Sequence, residues 1–236
     1  MRLFYTPDIA TSNELPPEEA AHALKVLRLQ TGDSLTLTDG KGSFYQATIS
    51  AATGKRCLVN VVEHIPRPSL WSGHLHIAVA PTKNMDRNEW LAEKATEIGV
   101  DELTFLCCHY SERKVMKPER IEKILISAMK QSLKARLPKL NTMVAFNDFV
   151  RHPRPGQKFI AHCHEGYKPM LKEILLPGGD ATVLIGPEGD FSPEEVGLAE
   201  SCGYQPVSLG CSRLRTETAA LVACHLLQMA NETLHQ

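Results

Sequence analysis

Arg215 and Glu217 flank a helix start in the segment LGCSRLRTETAALVACHLLQMA. Thr216 between them is a natural N-cap. The guanidinium then sits just outside the helix and the carboxylate lies in its first turn, where the helix dipole favours negative charge. Such a carboxylate either stabilises the helix end or acts as a catalytic group, and the arginine beside it is a cation that keeps its charge through a reaction. A second segment, IGPEGDFSPEEV from Ile185 to Val196, follows the apolar run TVLIG. Gly186 and Gly189 let the chain turn sharply and let a ligand approach bare amides. The string is neither a P-loop nor a GxGxxG fingerprint, so phosphoryl transfer and dinucleotide binding lose their usual support. In a third segment, His162, Cys163, His164 and Glu165 include zinc-ligating types. Strand alternation sends Cys163 to the face opposite His162 and His164, so adjacent ligands do not converge and no metal is expected.

These groups need elements to hold them. Ser192, Pro193 and Glu195 mark a helix start with a cap, a first-turn proline and a capping box. The runs LHIAVA, LTFL, KFIAHC, TVLIG and PVSL are too short and too β-rich for helices. With the helical NMDRNEWLAEKATEIG among them, they predict a parallel α/β sheet. Ahead of it, RLFY, SLTLTDG, KGSFYQATIS and KRCLVNVVEH read as short strands of a small β-barrel, interrupted by a helix in PPEEAAHALKVL. The stretch His64–Ser69 carries two prolines and no period, which predicts a linker between domains at 1–68 and 73–236.

With 43% hydrophobic and 22% charged residues in 236, the chain can bury a normal core. It has no apolar run of membrane-spanning length, and MRLFYTPDIA lacks the basic and apolar regions of a signal peptide, so a cytoplasmic protein without a membrane partner is expected. The seven cysteines form no CxxC pair and suit reduced, packed thiols. A net charge of −1 argues against a generic nucleic-acid binder. Its distribution argues otherwise, because Ser111–Lys139 holds nine Lys or Arg against three Glu. At 100° spacing Ile121, Ile124, Leu125, Ala128 and Ser132 share one helix face, opposite Arg120, Lys123, Lys130 and Lys134. The charged face is either solvated or in contact with RNA.

Taken in order, HALKVLRLQTGDSLTLTDGKG, EWLAEKATEIGV, QSLKARLP, IGPEGDFSPEE and LGCSRLRTETAALVA resemble the RsmE family, the 16S ribosomal RNA uridine-N3 methyltransferases of the SPOUT superfamily. The resemblance spans nearly the whole chain. It implies an α/β protein with an N-terminal PUA-like β-barrel and a C-terminal SPOUT domain with a deep trefoil knot, a homodimer formed through that domain, and S-adenosylmethionine as methyl donor. It implies a cofactor site from His162, His164, Glu165 and Gly166, from Ile185, Gly186, Pro187, Glu188 and Gly189, and from Leu209, Gly210, Leu214, Thr218 and Ala219. Arg215 and Glu217 become the catalytic candidates: Arg215 to stabilise charge on the uracil oxygens, Glu217 to accept the N3 proton. His22, Arg28, Arg113, Lys114, Lys130, Lys134 and Arg136 become candidate contacts to 16S RNA in the small ribosomal subunit; for His22, packing against the barrel stands as the alternative. The chain departs from the family pattern where Asp190 replaces a usual glycine, where Ser212 and Arg213 replace a basic-then-aliphatic pair, and where Lys134 replaces a usual arginine. Asp tolerates positive φ better than most residues, so the loop is expected to survive. A non-catalytic RNA-binding ribosome-assembly factor is the alternative function.

Overall fold

The computed structural model describes residues 2–232 and divides into two compact units, residues 2–69 with 126–137 and residues 70–125 with 138–232.

In the first unit β1 (Leu3–Tyr5), β2 (Ser34–Thr38), β3 (Ser43–Thr53) and β4 (Arg56–Pro66) form a four-stranded sheet in sequence order. β1 pairs parallel with β2, and β2, β3 and β4 are antiparallel. Register shifts between Gln46 and Ala47 and between Ile49 and Ala51 bend the long β3–β4 ribbon. Leu35, Leu37, Ala47, Ile49, Cys57 and Val59 point inward with the period of two expected of half-buried strands, and pack on Phe4, Ala20 and Ala23. The sequence predicts a single helix from Pro16 to Leu27. The structure instead has one short α-helix, α1 (Pro17–Ala21), followed by a π-helical turn at His22–Val26 that ends where Arg28 takes φ +57°. The predicted linker also starts later, since His64–Pro66 still pair with Ser43–Tyr45.

The second unit is a six-stranded parallel sheet in the order β10-β8-β9-β5-β6-β7. Its strands are β5 (Leu75–Val79), β6 (Glu102–Cys107), β7 (Lys139–Ala145), β8 (Gln157–Ala161), β9 (Ala181–Ile185) and β10 (Gln205–Val207). β5 and β9 are buried at every residue, as strands covered on both faces must be, and this is why LHIAV and ATVLI are continuous apolar runs. The covering helices are α2 (Met85–Ile98), α4 (Phe146–Arg151), α6 (Pro193–Ser201) and α7 (Thr216–Asn231); a short α5 spans Leu171–Ile174. Phe146 and Phe149 of α4 and Val196 and Ala199 of α6 join Ala78, Ile160 and Leu184 in one core, and α7 packs on α2, β5 and β9. A further helix, α3 (Pro118–Gln131), belongs to the second unit up to Leu125 and to the first from Ile126, and buries Ile121, Leu125, Ala128 and Met129, close to the apolar face predicted for it. No helix among the described residues is long and apolar enough to cross a membrane.

Candidate active site

All six strands of the second sheet run parallel, so their carboxyl ends share one edge, the edge at which open α/β sheets bind ligands. A cleft of about 460 Å³ opens there, in the range of small-molecule sites. Its apolar lining comes from Ala161, Ile185, Pro187, Leu214 and Ala219, and its polar lining includes Arg87, Glu188, Asp190, Arg213, Arg215 and Glu217.

Three loops frame the cleft, following β8, β9 and β10. The Cys163 N–H donates to Asp190 Oδ2 at 2.7 Å, and His164 Nε2 donates to the Phe191 carbonyl at 2.8 Å, joining the first loop to the second. Thr216 joins the second to the third. The sequence predicts Thr216 as the N-cap of α7, but Arg215 holds the cap position with extended backbone and Thr216 is the first helical residue. The Thr216 hydroxyl is thereby free to donate to the Gly186 carbonyl at 3.1 Å. Close approach explains Gly186 itself: a Cβ there would lie 3.1 Å from the Phe191 nitrogen. The α6 start is as expected, with Ser192 Oγ accepting from the Glu195 N–H and Glu195 Oε2 accepting from the Ser192 N–H. Glu195 Oε1 also accepts from the His109 N–H, which fastens the end of β6 to the same region.

Glu217 is 6% exposed. Its Oε1 stands 3.6 Å from Arg87 Nη1, and its Oε2 is buried without a partner among the described residues. Arg215 is exposed, and its guanidinium has no hydrogen bond or ion pair among the described residues. His162 is half-buried with both ring nitrogens unpartnered, and burial pulls its pKa below the ordinary histidine value, with Lys168 adding to the shift. Among the described residues no group of three His, Cys, Asp or Glu is placed to hold a metal ion.

Of the residues singled out in the sequence, Ile185, Gly186, Pro187, Glu188, Leu214, Arg215, Glu217 and Ala219 line the cleft. His162, His164, Glu165, Gly166, Gly189, Leu209, Gly210 and Thr218 stand in the framing loops or on α7 without lining it. The Glu188 carboxylate accepts from the Lys83 N–H at 2.9 Å, and Arg113 donates to the carbonyls of Thr82 and Lys83, so both side chains hold the turn after β5. Arg87, in the first turn of α2, is the polar group sequence reasoning missed; nothing in its local string points to Glu217. Of the other basic candidates, Lys114 is exposed, and Lys130 is mostly buried in a pair with Glu19. Lys134 is half-buried, Arg136 donates to the Lys41 carbonyl, and Arg28 is exposed. His22 is exposed while its ring centroid stands 5.9 Å from that of Phe4, so it also packs on the first unit, whose sheet is an open four-stranded one rather than the barrel expected from the sequence.

The chain thus holds a small β unit and a parallel α/β unit with a cleft at its strand ends, and the comparisons with known proteins give it a family. The family described as RNA methyltransferase domain matches residues 69–228, and the RNA methyltransferase PUA domain matches residues 15–62. The protein named ribosomal RNA small subunit methyltransferase E from Synechocystis is 30% identical over 94% of this chain and 75% of its own length. That from Rickettsia conorii is 29% identical over 89% and 86%. Among solved structures, a "probable rRNA-methyltransferase" from Porphyromonas gingivalis is 48% identical with a TM-score of 0.92, covering 97% of this chain and 99% of its own. The ribosomal RNA small subunit methyltransferase E from Neisseria gonorrhoeae, bound to S-adenosyl methionine, is 26% identical with a TM-score of 0.86, covering 97% of each chain. The chain belongs to the RNA methyltransferase family and, within it, to the RsmE group.

Proposed function

We propose that this protein methylates N3 of a uridine in 16S ribosomal RNA of the small subunit, with S-adenosylmethionine as donor. The observation that carries the reading is the meeting, in one cleft, of an Arg215 guanidinium and a buried Glu217 Oε2 that both lack a partner among the described residues. An orphaned buried carboxylate oxygen costs free energy unless a ligand satisfies it. The cleft's residues fit the donor: Ala161, Ile185, Leu214 and Ala219 offer apolar walls to a nucleoside. The names of the relatives and the donor bound in the Neisseria structure support the same reading.

When bound, S-adenosylmethionine supplies an electrophilic methyl group. Uridine N3 carries a proton and is a poor nucleophile until that proton leaves. In this reading Glu217 Oε2 accepts that proton, with Arg87 Nη1 3.6 Å from the other oxygen. Arg215 donates to the uracil oxygens, over which the negative charge spreads as the proton departs. RNA docking draws on His22, Arg28, Lys134 and Arg136 in the first unit and Lys114 in the second; Lys130 and Arg113 serve mainly to hold structure. Domain limits of 1–68 and 73–236, a trefoil knot in the second domain and a cytoplasmic location belong to this reading. So does a homodimer, which the partly exposed Leu221, Val222, Leu226 and Met229 along α7 support. The cleft is intact, which disfavours a non-catalytic assembly factor.

The purified protein should bind S-adenosylhomocysteine without added metal, sediment as two chains, and methylate one uridine at N3 in small subunits from a strain lacking the modification. Binding with no transfer to any RNA would restore the assembly-factor reading.

A further inference from the structure

Asp190 is one of three described non-glycine residues with positive φ, at +67°, and it sits in the turn closed by its own N–H on the Pro187 carbonyl at 2.9 Å. Left-handed backbone is unfavourable for a residue with a side chain, although Asp bears it better than most. Both carboxylate oxygens are engaged. Oδ2 accepts from the Cys163 N–H at 2.7 Å, across to the loop after β8, and Oδ1 accepts from the Phe191 N–H at 2.8 Å, within the loop after β9. Asp190 and Cys163 both line the cleft, so one side chain clasps two of its walls. His164 makes the second inter-loop bond, to the Phe191 carbonyl, one residue along on each side.

We infer that Asp190 is a positioning residue that presets the cleft for its nucleoside ligand by locking the loop after β8 onto the loop after β9. This inference rests on the reading of the cleft as the methyl-donor site. Charge-assisted bonds to backbone amides are the stronger class of hydrogen bond, and a loop already held in its bound form loses less entropy when the ligand arrives. The backbone conformation and the clasp oppose each other: glycine would adopt φ +67° without strain, and only the carboxylate supplies the two acceptors.

That opposition makes Asp190→Gly informative. The substitution relieves the backbone while deleting the clasp, so the melting temperature should change little. Affinity for S-adenosylhomocysteine should fall roughly tenfold, the equivalent of about one lost charge-assisted bond. Hydrogen exchange at the Cys163 amide should quicken by about the same factor or more. Asp190→Asn, which tolerates the backbone and keeps one acceptor oxygen, should lose less affinity than the glycine variant. At saturating donor the transfer rate of D190G should return close to that of the natural protein, the split expected of a residue that positions the site and takes no part in the reaction. Unchanged affinity together with unchanged Cys163 exchange in D190G overturns the inference, and so does a loss confined to the saturated rate. If the natural protein itself fails to bind S-adenosylhomocysteine, the donor-site reading fails, and Cys163 exchange in D190G still reports whether the clasp holds the loops together.

Discussion

The two edges of the parallel sheet carry similar polar residues and treat them in opposite ways. At the amino ends of β5, β6 and β7, Glu102 accepts from His74 Nε2 at 2.8 Å, Lys139 at 3.1 Å and Asn141 at 2.5 Å. Asn141 and His76 meet on Thr104, Asp101 holds the Trp71 indole and the Leu75 amide, and Asp180 holds the His74 amide. At the carboxyl edge, among the described residues, Glu217 keeps an oxygen with no partner, His162 keeps two such nitrogens, and Arg215 is unpaired. A buried polar group left alone costs about 1–3 kcal/mol, so a fold keeps one only where something else compensates. The first edge is a closed network that holds strands; the second joins its loops through Asp190 and His164 and leaves other polar groups unsatisfied among the described residues.

If that contrast is sound, substitutions at the two edges should fail in different currencies. The largest effect is expected from Arg215→Ala. Losing one preorganised donor to developing charge should cut single-turnover methyl transfer by a factor of ~100–1,000, with donor affinity and melting temperature nearly unchanged. Normal transfer, or a loss confined to donor affinity, would assign the catalytic cation elsewhere. Next comes Glu102→Ala at the closed edge, which removes the acceptor shared by His74, Lys139 and Asn141; with His74 and Lys139 open to solvent it should cost roughly 1–2 kcal/mol of stability by denaturant titration. The rate per folded molecule should hold. A rate loss in E102A without a loss of stability would show that the two edges are not separable.

What could be read in the sequence follows the range over which each feature is determined. The Ser192–Glu195 capping box lies within four residues, and β5 and β9 announce themselves as apolar runs, so both were legible. The positive φ at Asp190 was foreseeable from the resemblance, which has glycine at this position, and from the tolerance of Asp for such backbone. β7 was not, because an edge strand of mixed exposure, KLNTMVA, has neither alternation nor an apolar run. The break of the N-terminal helix into a π-turn at His22 has no local signal, since Ala23, Leu24 and Lys25 are ordinary helix formers. Gly186 and Arg215, in loops, and Glu217, in the first turn of α7, lie in family-like strings and line the same cleft. Contacts made by tertiary structure, such as Arg87 with Glu217, Thr216 with Gly186 and Lys130 with Glu19, join residues far apart in the chain and leave no pattern in either neighbourhood.

The smallest effect tests the closed edge by proton linkage. His74 has its pKa raised, chiefly by the hydrogen bond to Glu102, and Glu102 is held well below the usual carboxylate range, chiefly by the same bond. A raised histidine stabilises the fold fully below its unfolded value of about 6.5 and loses that contribution as pH climbs through the raised value. The depressed carboxylate contributes above its unfolded value of about 4.5 and fades as pH falls further. The pair therefore counts most between about pH 5 and 6.5. Its neighbour His76 runs the other way: burial lowers its pKa to about 4, so below about 6.5 the unfolded chain takes up a proton that the folded ring refuses, and stability drops. In a comparison of the natural protein with His74→Gln, the burial that dominates the His76 shift is common to both, and only the smaller part owed to the charge of His74 differs. The side chain of His74 is 48% exposed, so solvent screens the pair and the deficit should stay below about 1 kcal/mol. It should be visible as a lower melting temperature of the variant at pH 5.5 and shrink towards zero at pH 9. An equal deficit at both pH values would mean that His74 acts through packing, and that the closed edge is held by neutral hydrogen bonds rather than by charge.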